Sequence, residues 1–208
     1  QWLIDNYDAC SETLILMVQD SQNKIVGSAT LVFDGSYSLP AEKIYSEELK
    51  SLKKNKNKIT ELSRLIISKE HRNSKEILVL LFNYAAIYIR LVKKYNSLVV
   101  QVNPRHKEFY KSLLSFDEIG NEKFCPSVQN APAFLLYLST KKYQAEMLRL
   151  NLSPVSEKKE KSLYKYFLNT EQENLVACYL EKQTKPITAE EKNYFCLSVT
   201  GIGHAVCK

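Results

Sequence analysis

Residues 59–72, ITELSRLIISKEHR, together with the apolar run that begins at Lys75, decide how this chain folds. Ile59, Leu62, Leu65, Ile66 and Ile67 read as a buried strand within residues 58–68, and residues 70–74, EHRNS, read as a polar turn. Residues 75–95, KEILVLLFNYAAIYIRLVKKY, are apolar nearly all round, which marks a helix buried between layers, with Ser74 as its N-cap. Residues 98–102, LVVQV, form a second continuous apolar strand. Strand, long helix and strand make a right-handed crossover, so the two strands are expected to be parallel neighbours. Two charges, Glu61 and Arg64, interrupt the first strand. Buried charge is tolerated where it is paired or used.

Outward from this unit, residues 14–19 and 25–33 read as an antiparallel hairpin around the polar turn 21–24. Residues 34–40, DGSYSLP, are a turn, and residues 42–57 are polar, lysine-rich and either helical or loose at the surface. After NPRH at 103–106 comes a short helix over 107–114, then strands over 116–124 and 133–138. The pattern predicts an α+β fold built on a mixed α/β sheet. Residues 143–150 and 171–183 read as helices on either side of the lysine-rich stretch 156–161.

A chain of 208 residues, 45% apolar and 25% charged, has the composition of a globular protein with one ample core. No apolar segment reaches membrane-spanning length without a charge or a tyrosine, so no transmembrane segment is expected. Residues 1–7 are neither basic nor continuously apolar, so no signal peptide is read there. The five cysteines are odd in number and lack zinc-site spacing, which points to reduced thiols, a cytoplasmic location and no metal centre. The net charge of +6 suits an acidic partner or a phosphate-bearing ligand, although a Lys- and Asn-rich composition alone also produces it. The basic residues are diluted among glutamates, with no basic helix carrying interleaved aromatics, so nucleic acid is not an expected partner.

Five segments together carry a family likeness: DNYD at 5–8, VGSATLVFD at 26–34, ELSRL at 61–65, VNPRHKEFY at 102–110 and FDEIG at 116–120. In this order and spacing the chain resembles the long-chain N-acyl amino acid synthases, relatives of the acyl-homoserine-lactone synthases within the GNAT acyltransferase superfamily. The resemblance implies a GNAT-like domain over residues 1–142, with two parallel central strands that splay apart; residues 143–208, beyond it, are expected to be a helical C-terminal extension docked on that domain. It implies transfer of a long-chain acyl group from the phosphopantetheine thioester of acyl carrier protein to the amine of an amino acid, with no permanently bound cofactor and with acyl-CoA as the other conceivable donor. The family's first strand and early helices lie upstream of its aspartate motif, so the chain is expected to begin part-way into the fold. Family members usually carry an arginine in the second strand, where this chain has Thr30. Rival readings are an autoinducer synthase, a CoA-dependent GNAT enzyme, or a degenerate GNAT-like domain that binds acyl carrier protein or lipid without catalysis.

An amino acid arrives with a protonated amine, which attacks a carbonyl only after losing a proton. Glu61 is the candidate general base or water-positioning group. Residues three apart lie on opposite faces of a regular strand, so a side-by-side pair of Glu61 with Arg64 requires a bulge. Arg64 is expected to orient Glu61 or a substrate carbonyl. On the resemblance, Asp5 and Asp8 hold the acceptor, and Tyr110 protonates the departing thiolate. The turn 70–74 stands where GNAT enzymes place a glycine-rich pyrophosphate loop, yet it contains no glycine. A single phosphate needs a less tight cradle than a diphosphate, so Arg72 and Ser74 are candidates for holding a phosphopantetheine phosphate. Asn103, Arg105 and His106, at the end of the second parallel strand, complete the substrate-binding set, Arg105 on a positive rim facing an acidic carrier protein.

Overall fold

The computed structural model describes residues 6–10, 12–152, 160–183 and 188–190. Strands β1 (Thr13–Gln19) and β2 (Ile25–Phe33) form a hairpin that leads into helix α1 (Glu42–Lys54). Then follow β3 (Ile59–Ile67), α2 (Lys75–Ile87), β4 (Ser97–Val102), α3 (Pro104–Leu114), β5 (Asp117–Cys125) and β6 (Ala131–Ser139). Helices α4 (Thr140–Leu152) and α5 (Thr170–Gln183) come last. The six strands make one mixed sheet in the order β1-β2-β3-β4-β6-β5. Among the described strands only the β3–β4 pair is parallel, as the crossover predicts. The fold class is the expected mixed α/β sheet.

Both faces of the sheet are covered, and strand alternation assigns each residue to a face. Leu31, Leu62, Val100 and Leu136 pack with Leu81, Phe82 and Tyr110 of α2 and α3. On the other face, Val32, Ile59, Val99 and Leu135 pack under Tyr45 and Leu49 of α1. Tyr45 pins α1 to the far side of the sheet by donating to the carbonyls of Asn121 (2.9 Å) and Ala133 (2.6 Å). Its ring lies against Gly120, where a Cβ would fall 2.7 Å from the nearest ring carbon.

The β3–β4 ladder runs only from Ile59 opposite Ser97 to Leu62 opposite Val100. Beyond it β3 continues to Ile67 beside β2, and β4 continues to Val102 beside β6. The two central strands therefore part at their carboxyl ends.

Three departures from the sequence reading bear on the packing. The helix after β3 is regular only to Ile87 and closes in a π-helical turn, Tyr88–Val92. That turn carries Arg90 into a buried ion pair with Glu173 of α5, which also accepts from the Tyr143 hydroxyl at 3.1 Å. Helix α3 starts at Pro104, three residues earlier than expected, because Asn103 caps it and proline suits the first helical position. Helix α4 follows β6 directly, and Tyr143, Leu163 and Tyr164 belong to the same core as α2 and α3. No helix among the described residues is long and apolar enough to cross a membrane.

Candidate active site

Where β3 and β4 separate, a cleft of about 470 Å³ opens, lined by Tyr7, Lys43, Ser63, Arg64, Gln101 and Asn103 among others. Two features of β3 shape it. The parallel ladder stops at Leu62, and the pairing with β2 slips between the Thr30–Ser63 and Ser28–Ile66 partners. At that bulge Arg64 has φ of 48°, a left-handed conformation that costs a non-glycine residue roughly 1–3 kcal/mol. A regular strand would send Ser63 and Arg64 to opposite faces, whereas the bulge lets both line the cleft.

The charges in β3 do not pair with each other. Arg64 Nη1 lies 2.8 Å from Asp8 Oδ1 and 3.0 Å from Oδ2, an ion pair between the N-terminal segment and the cleft wall. Glu61 is 1% exposed and sits beside Val32 and Val99 on the α1 face. Its Oε2 accepts from the Ala41 amide at 2.7 Å and its Oε1 from Gln101 Nε2 at 2.8 Å. Burial pushes its carboxyl up to about 7, although both hydrogen bonds favour the ionised form. Glu61 thus holds its proton well above the ordinary carboxylate range, one side chain beneath the cleft and separated from it by Gln101.

The model of the N-acyl amino acid synthase FeeM family matches residues 1–139. The chain belongs to this family. Among solved structures it is similar to FeeM, an N-acyl amino acid synthase from uncultured soil microbes, with 25% identity and a TM-score of 0.59 over 65% of this chain and 77% of that one. A dodecameric spermidine N-acetyltransferase from Vibrio cholerae aligns at 19% identity and a TM-score of 0.46, over 64% of this chain and 68% of that one. No curated protein matches. This family member has a GNAT-like fold and is an N-acyltransferase.

In the enzyme the cleft gathers Arg64, Asp8 through its ion pair, Asn103, and Glu61 through Gln101. Asp5 lies outside the described residues. Asn103 Oδ1 caps α3 by accepting from the Arg105 amide at 3.2 Å, and its Nδ2 donates to the Pro132 carbonyl at 3.5 Å. Arg105 and His106 follow on the exposed first turn, with Arg105 Nε donating to His106 Nε2 at 3.0 Å. Arg72 and Ser74 stand at the other helix that leaves the splayed strands. Arg72 is exposed, and Ser74 caps α2 by accepting from the Ile77 amide at 3.3 Å.

Tyr110 is placed apart from these residues. It is buried on the α2–α3 face, with Phe82, Phe109 and Phe116 packed edge-on around its ring at 5.5–5.7 Å. Burial pushes its hydroxyl up to about 12. These are the surroundings of a core side chain, away from the residues that line the cleft.

Gln101, Ser63 and Lys43 escaped the sequence reading. The signal for Gln101 was present: it is the one polar residue of LVVQV, and period-2 alternation puts it on the same face as Val99, the register partner of Glu61. Among the described residues no group of three or more His, Cys, Asp or Glu side chains is placed to hold a metal ion.

Proposed function

We propose that this N-acyltransferase moves a long-chain acyl group from the phosphopantetheine thioester of acyl carrier protein to the amine of an amino acid. The observation that carries the reading is the cleft between the splayed strands, where a basic wall and a buried acid of pKa about 7 stand together. The amino acid carboxylate is held by Lys43 together with Arg64, whose ion pair with Asp8 fixes its guanidinium at the cleft wall. The ammonium gives one proton to Glu61 through a water beside Gln101, which suits an acid matched to neutral pH. The freed nitrogen attacks the thioester carbonyl, the C–N bond forms and the C–S bond breaks. The second nitrogen proton leaves with the thiolate, so the products are an amide and the carrier's free thiol.

On the donor side, Arg72 ahead of α2 and Arg105 and His106 in the first turn of α3 are the groups assigned to the phosphate. Helix N-termini favour phosphate. The turn at Lys69–His71 contains no glycine, and the Ser74 side chain already occupies one of the amides at the head of α2. That favours the single phosphate of a carrier protein over the diphosphate of CoA.

The test is mass spectrometry of the purified enzyme incubated with long-chain acyl carrier protein and a mixture of amino acids. An N-acyl amino acid is expected, formed faster than from acyl-CoA at equal concentration. Faster acylation from acyl-CoA would overturn the donor assignment. Absence of product with every amino acid would overturn the acceptor assignment.

A further inference from the structure

Gln101 of β4 stands between the buried acid and the cleft, and its amide is held from one side only. Its Nε2 donates to Glu61 Oε1 at 2.8 Å, while the other carboxylate oxygen is taken by the Ala41 amide. The ionised carboxylate, the form that takes up the amine proton, accepts and does not donate, so in that form the contact sets which way round the side-chain amide stands, NH₂ toward Glu61 and oxygen away. That oxygen is buried and has no hydrogen-bond partner among the described residues, although Gln101 lines the cleft. A buried acceptor without a partner is unfavourable, and an N–H brought in by a ligand removes the penalty.

We infer that Gln101 recognises the acceptor's nitrogen: its Oε1 accepts an N–H from the attacking amine and, after transfer, from the product amide. Glu61 acts as the positioning residue that holds the amide in this orientation. The inference rests on the acyl-to-amine reading of the cleft. It also explains how the site can favour nitrogen over a hydroxyl of the same amino acid. A primary amine still carries a hydrogen once it has become an amide, whereas an alcohol that has become an ester carries none. The contact to Oε1 therefore persists through the reaction only for nitrogen.

A matched pair of ligands isolates that one hydrogen. N-dodecanoyl-alanine and the dodecanoyl ester of lactic acid have the same shape and charge and differ in N–H against O. Calorimetry with the whole chain should show the amide binding about tenfold tighter than the ester. Gln101→Met should bring the ratio near one by weakening the amide and leaving the ester unchanged, a pattern that loss of fold would not produce. Glu61→Gln frees the amide to turn and should lower the ratio as well, which keeps the question open to measurement if Gln101→Met folds poorly. A ratio near one in the wild type, failure of the wild type to bind either ligand, or a preference that survives in both variants overturns the inference. Product formation in the mass-spectrometric assay is read separately. An amide preference without turnover sinks the substrate assignment and leaves the Gln101 contact standing, and turnover without the preference does the reverse.

Discussion

Glu61 is the residue at which stability and chemistry meet. Desolvation holds its carboxyl at about 7 against an ordinary 4.5. Below the ordinary value both folded and unfolded chains keep the proton. Between the two values the unfolded chain has released it while the folded chain retains it, so stability falls as pH rises through that window, by on the order of 3 kcal/mol in all. Glu61→Gln cannot titrate, so urea unfolding at about pH 5 and about pH 8 should show a steeper loss for wild type than for the variant. Equal slopes would place the carboxyl outside the buried environment described above. The same variant should cut turnover at least tenfold if Glu61 takes the amine proton. Tyr110→Phe should leave turnover within about twofold, since a phenol near 12 gives up its proton too reluctantly to serve the thiolate. A drop of tenfold or more would restore the proton-donor role. Sequence reasoning found Glu61 and Arg64 because charge inside an apolar strand is conspicuous. It could not find their partners, because Ala41, Gln101 and Asp8 are distant in the chain and only the folded sheet brings them close.

At the scale of elements, the crossover was legible because two buried strands and the helix between them carry strong apolar patterns. The position of the β3 bulge was not, since it depends on pairing with β2 and no residue type in ELSRL demands it. The π turn at the end of α2 was equally hidden. Its consequence is the buried Arg90–Glu173 pair, whose side chains are 10% and 9% exposed. Removing one partner of such a pair strands the other charge. Glu173→Ala should therefore lower unfolding stability by roughly 3–5 kcal/mol. Thermal and urea unfolding would check this, and a loss under about 1 kcal/mol would mean that the pair is solvated and that α5 is held by its apolar contacts alone.

Over the whole molecule, the net charge of +6 has no bearing on the fold but would speed encounter with the acidic carrier protein proposed as donor. The KM for acyl carrier protein should rise severalfold between low and physiological salt, while that for the amino acid changes little. An unchanged KM for the carrier would remove charge from the account of docking. The sequence pointed to a helical extension after residue 142, and the described part of it shares the core through Tyr143, Leu163 and Tyr164. That sharing was unreadable because aromatic residues in a lysine-rich stretch look the same whether they coat a neighbour or stand alone. The short β3–β4 ladder has a mechanical consequence. Four parallel partner pairs, from Ile59–Ser97 to Leu62–Val100, join two otherwise antiparallel half-sheets, β1-β2-β3 and β4-β6-β5. A sheet stitched across its middle by so short a seam bends most easily there. Widening the gap by moving one half against the other would therefore work against that one short seam and leave the antiparallel ladders on either side intact.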